Sequence, residues 1–84
     1  MSRVTVRYRG ELREITGCAY QEIEAETIRD VLKHIRRTWG RAALAEAERM
    51  VIAVNGKSIL LLNNDKTVLS GGDTVFFIPI CGGG

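Results

Sequence analysis

The chain has 84 residues, 45% of them hydrophobic and 26% charged, with a formal net charge of +2. That length fits one domain around one core, and so mild a charge does not by itself call for nucleic acid. No apolar stretch approaches the roughly 18 residues of a membrane span, the N-terminus lacks the apolar core of a secretory signal, and the 2 cysteines have neither CxxC spacing nor a histidine cluster, so a soluble, cytoplasmic domain without a disulfide framework or a metal is expected.

Arg3 to Arg9 alternates, with Val4, Val6 and Tyr8 on one face and Arg3, Thr5, Arg7 and Arg9 on the other, the pattern of a half-buried strand. Gly10-Glu11 begins a connection, and Leu12 to Gly17 reads either as a helical turn or as an irregular loop closed by glycine. Cys18 to Glu24 is a second strand, with poorer alternation. Thr27 followed by Asp30 resembles a capping box with Asp in place of Glu. Ile28, Val31, Leu32, Ile35 and Trp39 then keep the 3.6-residue period, so a long helix starts here. Gly40 stops it behind a basic last turn. His34, the only histidine, reads as a side chain at the solvent edge of that helix rather than as a ligand.

Arg41 to Glu48 has high helix propensity and forms a short second helix. Met50 to Val54 is a third strand, and Asn55-Gly56 is a type I′ hairpin signal. Lys57 to Leu62 returns as a fourth strand. After a turn at Asn63-Asn64-Asp65, Thr67 to Leu69 reads as a single helical turn. Ser70 to Asp73 turns again into the last strand, Thr74 to Ile78. Val75 to Ile78 is apolar at every position, which suits a central strand or one whose second face meets a partner. Two hairpins flanking one main helix give an α+β fold, a sheet of four to five strands with the helix on one face. A first and last strand side by side and parallel would make it a β-grasp.

After the last strand the chain continues into Cys81-Gly82-Gly83-Gly84. Glycine adds no buried surface and loses the most backbone entropy when ordered, so this ending suits a flexible tail, residues 81–84, beyond a domain of residues 1–80. A tail without side chains fits entry into a narrow active site. The reactive group is then the α-carboxylate of Gly84, with Ile80, Cys81, Gly82 and Gly83 threading behind it. Phe76, Phe77, Ile78 and Pro79 are candidate docking residues. One of the two phenylalanines belongs to the core, and the other, facing away from the helix, sits on the open face of the sheet. Cys81 reads as a Val-sized hydrophobe on the tail, a redox or sulfur-exchange role being the alternative.

These segments together resemble the ubiquitin-like sulfur carriers of the MoaD/ThiS type, most closely the molybdopterin synthase small subunits. Val6-Arg7-Tyr8 and Leu12 to Gly17 are similar to that family's early strand and "LRE-x-TG" segment. Thr27 to Leu32 is similar to its helix start, Val54-Asn55-Gly56 to its "VNG" hairpin, and Gly71 to Val75 to its "DGDEV" turn. The tail from Phe77 to Gly84 aligns without gaps on "FFPPV-[AS]-GG", although Ile78, Ile80, Cys81 and Gly82 depart from it. The resemblance implies a β-grasp fold and no bound cofactor. It also implies an ATP-dependent activating enzyme (MoeB/ThiF-like) that adenylates Gly84, a persulfide that converts it to a thiocarboxylate, and a MoaE-like large subunit that receives the sulfur. A ubiquitin-like modifier joined to lysines through the same diglycine, or a carrier for another pathway such as thiamine, shares these features. The arginines at positions 3, 7, 9, 13, 29, 36, 37 and 41 raise a nucleic-acid module as a different class. Aromatic residues are few, however, and Glu22, Glu24 and Glu26 offset the first strand. A charged sheet edge, or a docking surface for an acidic partner, is the preferred reading.

Overall fold

The computed structural model describes residues 2–80. Strand β1 (Arg3–Arg7) is followed by helix α1 (Gly10–Thr16), strand β2 (Tyr20–Glu24), helices α2 (Ile28–Trp39) and α3 (Arg41–Glu48), strands β3 (Val51–Val54) and β4 (Lys57–Ser58), two 3₁₀ turns (Ile59–Leu61 and Asn64–Lys66) and strand β5 (Thr74–Ile78). The strands form one mixed sheet in the order β2-β1-β5-β3-β4. The first and last strands lie side by side in parallel, Val6 opposite Val75, and every other pairing is antiparallel. This is the β-grasp arrangement, with β5 in the centre, as its unbroken apolar run requires.

Alternation on the strands and the 3.6-residue stripe on α2 meet in one core. Val4, Val6, Val75 and Phe77 from the sheet, Ile28, Val31 and Ile35 from α2, and Leu12 from α1 are all essentially without solvent contact. Tyr8, just past β1, joins them. Its ring stacks at 6.2 Å on Phe77 and meets Trp39 edge-on at 5.4 Å. Burial pushes the Tyr8 phenol well above its ordinary pKa, with the nearby Cys18 adding to the rise, so it stays neutral and donates to Gln21 Oε1 at 2.9 Å.

The capping box at the start of α2 is complete. Thr27 Oγ1 accepts from the Asp30 N–H at 3.3 Å, and Asp30 Oδ2 accepts from the N–H groups of Glu26 and Thr27 at 2.9 and 3.2 Å. The shorter Asp thus serves where Glu is usual. His34 is half-buried rather than at the solvent edge: its Nε2 lies 3.1 Å from Gln21 Oε1 and its ring packs edge-on against Trp39 at 5.8 Å. Desolvation, with the Arg37 charge second, lowers the His34 pKa.

Several elements differ from the sequence reading. Leu12–Gly17 resolves as a helix, α1, which starts at Gly10 and is closed by Gly17 in the left-handed conformation. The second strand starts at Tyr20, not Cys18, because Thr16 Oγ1 bonds both the N–H and the carbonyl of Cys18 and holds it in a turn. The fourth strand is only 2 residues long. Ser58 Oγ then accepts from the Leu60 N–H at 3.2 Å and starts a 3₁₀ turn, which drops Ile59 into the core and leaves Leu60 and Leu61 exposed. Thr67–Leu69 is extended, not helical. Val68 bridges Thr27, and the Leu69 N–H donates to the Glu26 carbonyl at 2.8 Å. Among the described residues no helix is long and apolar enough to cross a membrane.

Candidate docking face and the root of the tail

Because side chains alternate along a strand, β5 divides its apolar run between two surfaces. Val75 and Phe77 face α2, and Phe77 has no exposed surface. It is therefore the core member of the phenylalanine pair and drops out of the docking set, since a side chain without accessible area meets no partner. Phe76 and Ile78 face the opposite, open side of the sheet.

The register builds the rest of that face. Phe76 lies between Arg7 of β1 and Ala53 of β3, Ile78 is opposite Val51, and Tyr20 of β2 is opposite Arg7. Tyr20 and Ile78 are 57% and 37% exposed, so the patch is open to contact. Arginines frame it: the Arg7 guanidinium stands 5.6 Å from the centroid of Tyr20, and that of Arg9 stands 5.8 Å from the centroid of Phe76. Arg3 is bridged by Glu22 at 3.2 Å on the same face, and both side chains are more than half exposed, so the pair adds little stability. The positive charge is thus interleaved with acid rather than forming a continuous basic strip. Tyr20 and Val51 were not singled out by sequence reasoning, whereas Arg9 reads as part of a charged sheet edge or docking surface. Cross-strand register brings Tyr20 and Val51 onto this face, and the sequence signal for Tyr20 was weak because its strand alternates poorly.

β5 leads directly to the root of the tail. Pro79 and Ile80 are exposed, and Ile80 lines a shallow groove of about 310 Å³ together with Met50, Val51, Ser58, Ile59 and Leu60. Leu60 and Ile80, 77% and 63% exposed, stand at its rim. A larger hollow of about 580 Å³ lies between α2 and the end of β2, lined by charged residues from Glu24 to Arg37. It lies beside the edge strand β2, away from Ile80. The start of β5 is tied down by the predicted hairpin. Asn55, at φ +52°, accepts from the Thr74 N–H at 2.9 Å and donates through Nδ2 to Asp73 at 2.9 Å. The turn residue thereby fixes the strand that leads to the tail. Cys81, Gly82, Gly83 and Gly84, the candidate threading and reactive positions, lie outside the described residues. Among the described residues no cluster of three His, Cys, Asp or Glu side chains could hold a metal.

No curated protein matches the chain by sequence. Among solved structures, the small archaeal modifier protein 1 (SAMP1) of Methanosarcina acetivorans superposes with a TM-score of 0.85 at 24% identity, covering 100% of this chain and 98% of that one. The Amycolatopsis orientalis BexX/CysO complex contains a chain that superposes at 0.82 with 19% identity, covering 96% and 99%. A putative molybdopterin converting factor, subunit 1, from Pyrococcus furiosus superposes at 0.71 with 23% identity, covering 94% and 98%. At these identities the likeness establishes the ubiquitin-like β-grasp fold. The sequence pattern of the ThiS family matches residues 6–84, running from the middle of β1 through the terminal glycines. The chain therefore belongs to the ThiS family of ubiquitin-like sulfur carriers.

Proposed function

We propose that this chain carries sulfur as a thiocarboxylate on Gly84 and delivers it as the small subunit of a molybdopterin synthase. The observation that supports this most is the extent of the family match, which continues through Gly83-Gly84 from a central strand whose open face presents Phe76 and Ile78 beside the tail root. A carboxylate has no good leaving group at neutral pH, so it must first be activated. Its oxygen attacks the α-phosphate of ATP on an activating enzyme, pyrophosphate leaves, and an acyl-adenylate forms. A protein persulfide attacks the acyl carbon and expels AMP. A second thiol of the sulfur donor then cleaves the S–S bond, leaving the thiocarboxylate and a disulfide on the donor. The reacting side chains sit on the partners. This chain supplies the acyl group, a glycine tail narrow enough to reach it, and the face around Phe76, Ile78 and Pro79 that docks.

A second reading, a modifier joined to lysines through the same carboxylate, is favoured by the end-to-end likeness to SAMP1. Both readings share the adenylate and diverge at the acceptor. The test incubates the full chain with ATP, an activating enzyme of the MoeB/ThiF kind from the same genome and a persulfide donor, followed by accurate-mass analysis of the C-terminal peptide with Cys81 alkylated. Sulfur in place of one Gly84 oxygen supports the carrier, and transfer of that sulfur to a pterin precursor by a MoaE-like subunit supports the molybdopterin assignment. A Gly84 carbonyl on a lysine moves the assignment to the modifier. A free carboxylate under these conditions refutes both.

A further inference from the structure

Pro79, at the root of the tail, lies against Gly10. Gly10, where β1 passes into α1, has φ +57°, and a Cβ added there would lie 2.7 Å from Pro79 Cγ, 3.4 Å from Pro79 Cβ and 3.9 Å from Met50 Cε. A proline ring cannot swing aside as the end of a long side chain can, so the pair coexists only because position 10 has no Cβ. Next to Gly10, the Arg9 guanidinium lies over the ring of Phe76, three residues before Pro79. The junction Arg9-Gly10 therefore forms one wall against which the chain runs as it leaves β5.

We propose that Gly10 is a positioning residue for the tail: its missing Cβ seats the Pro79 ring against the β1–α1 junction and fixes the heading of Pro79-Ile80 relative to the docking face. With β5 anchored in mid-sheet and Pro79 seated, the heading of the chain at Ile80 is set before the partner engages. This rests on the proposed activation of Gly84 and names a residue that serves it without touching the reacting atoms. An alanine at position 10 would need the ring to retreat by about 0.7 Å (3.4 minus 2.7) merely to reach ordinary contact. Displacements of that order at a reacting group cost up to ~100-fold in rate. Pro79 is not itself the reacting group, so a smaller change of about tenfold is expected, and it falls on entry to the channel, in KM rather than kcat.

Gly17 provides the control. It closes the other end of the same helix with φ +71° and nothing within 4 Å of an added Cβ. Gly10→Ala and Gly17→Ala both put a Cβ on left-handed backbone, and only the first meets Pro79. The experiment measures KM and kcat of the full chain in ATP–pyrophosphate exchange with its activating enzyme, thermal midpoints, and the nuclear Overhauser contact between Gly10 Hα and Pro79 Hγ in the wild-type chain. The contact is expected to be present. Gly10→Ala raises KM about tenfold with kcat unchanged, while Gly17→Ala leaves KM at the wild-type value and lowers the midpoint comparably. In a Pro79→Ala background, where the clashing Cγ is gone, Gly10→Ala adds nothing further. Absence of the contact, equal KM for the two glycine variants, or full additivity in the double variant overturns the proposal. A wild-type chain that supports no exchange at all refutes the activation reading, and the Overhauser measurement then decides the seating of Pro79 on its own.

Discussion

Phe76 and Phe77 are adjacent and chemically identical, so replacing each in turn separates packing from docking. Phe77 is fully buried, lies opposite Ile52 and stacks on Tyr8. A buried aromatic removes roughly 150–250 Å² from water, or about 4–6 kcal/mol at ~25 cal/mol per Å². Measured Phe→Ala costs in cores run about 3–5 kcal/mol. A domain of 84 residues at ~0.05–0.15 kcal/mol per residue has about 4–13 kcal/mol in total, so Phe77→Ala removes much or all of the stability. Phe77→Leu, which keeps most of the volume, costs about 1–1.5 kcal/mol and gives a folded comparator. Phe76 loses mainly its cation–π contact and partial burial, about 1 kcal/mol. Urea unfolding monitored through Trp39, whose ring touches Tyr8, provides the stabilities, and the KM for the activating enzyme provides docking. The expected result is a crossed pattern, with Phe77→Leu less stable than wild type but normal in KM, and Phe76→Ala nearly as stable but raised in KM. Equal destabilisation by Phe76→Ala and Phe77→Ala would refute the assignment of faces on β5.

Other variants test the supports of the site. Asn55→Ala removes two hydrogen bonds to the start of β5 at a left-handed position and should cost about 2–3 kcal/mol in urea unfolding. The Asp30 carboxyl is held below its ordinary pKa, mainly by the N–H of Glu26. Its contribution to stability is therefore complete above the unfolded value and fades as pH falls below about 4. Asp30→Asn should lower the midpoint at pH 7 by the equivalent of about 1 kcal/mol, with a smaller deficit in acid. His34 titrates in the other direction. Its folded pKa is lowered, so between that value and the unfolded value near 6.5 the unfolded chain binds more protons, and stability falls as pH drops from about 7. Melts of His34→Gln across pH 5–7.5 should show a flatter slope than the wild type, and an unchanged slope would remove the role given to that ring.

Local chemistry made much of this protein legible in its sequence. The capping pair Thr27 and Asp30, the stripe from Ile28 to Trp39, the Asn55-Gly56 turn and the unbroken apolar run of β5 each report a neighbour relation within a few residues, and such relations survive without knowledge of the fold. The terminal glycines and the ordered segments upstream likewise pointed to the family. The tertiary structure decided what depends on distant partners. Alternation shows that Phe76 and Phe77 face opposite ways, but only the packing of α2 says which faces inward. Lys57–Leu62 has the composition of a strand, yet Ser58 caps a 3₁₀ turn there because Ile59 is needed in the core. Tyr20 and Val51 joined the docking face through cross-strand register, which alternation along one strand does not encode. The contact between Gly10 and Pro79 spans nearly the whole chain, and a glycine followed by Glu11 reads simply as the start of a connection. What it does there is set by a ring 69 positions later that folding brings within van der Waals distance.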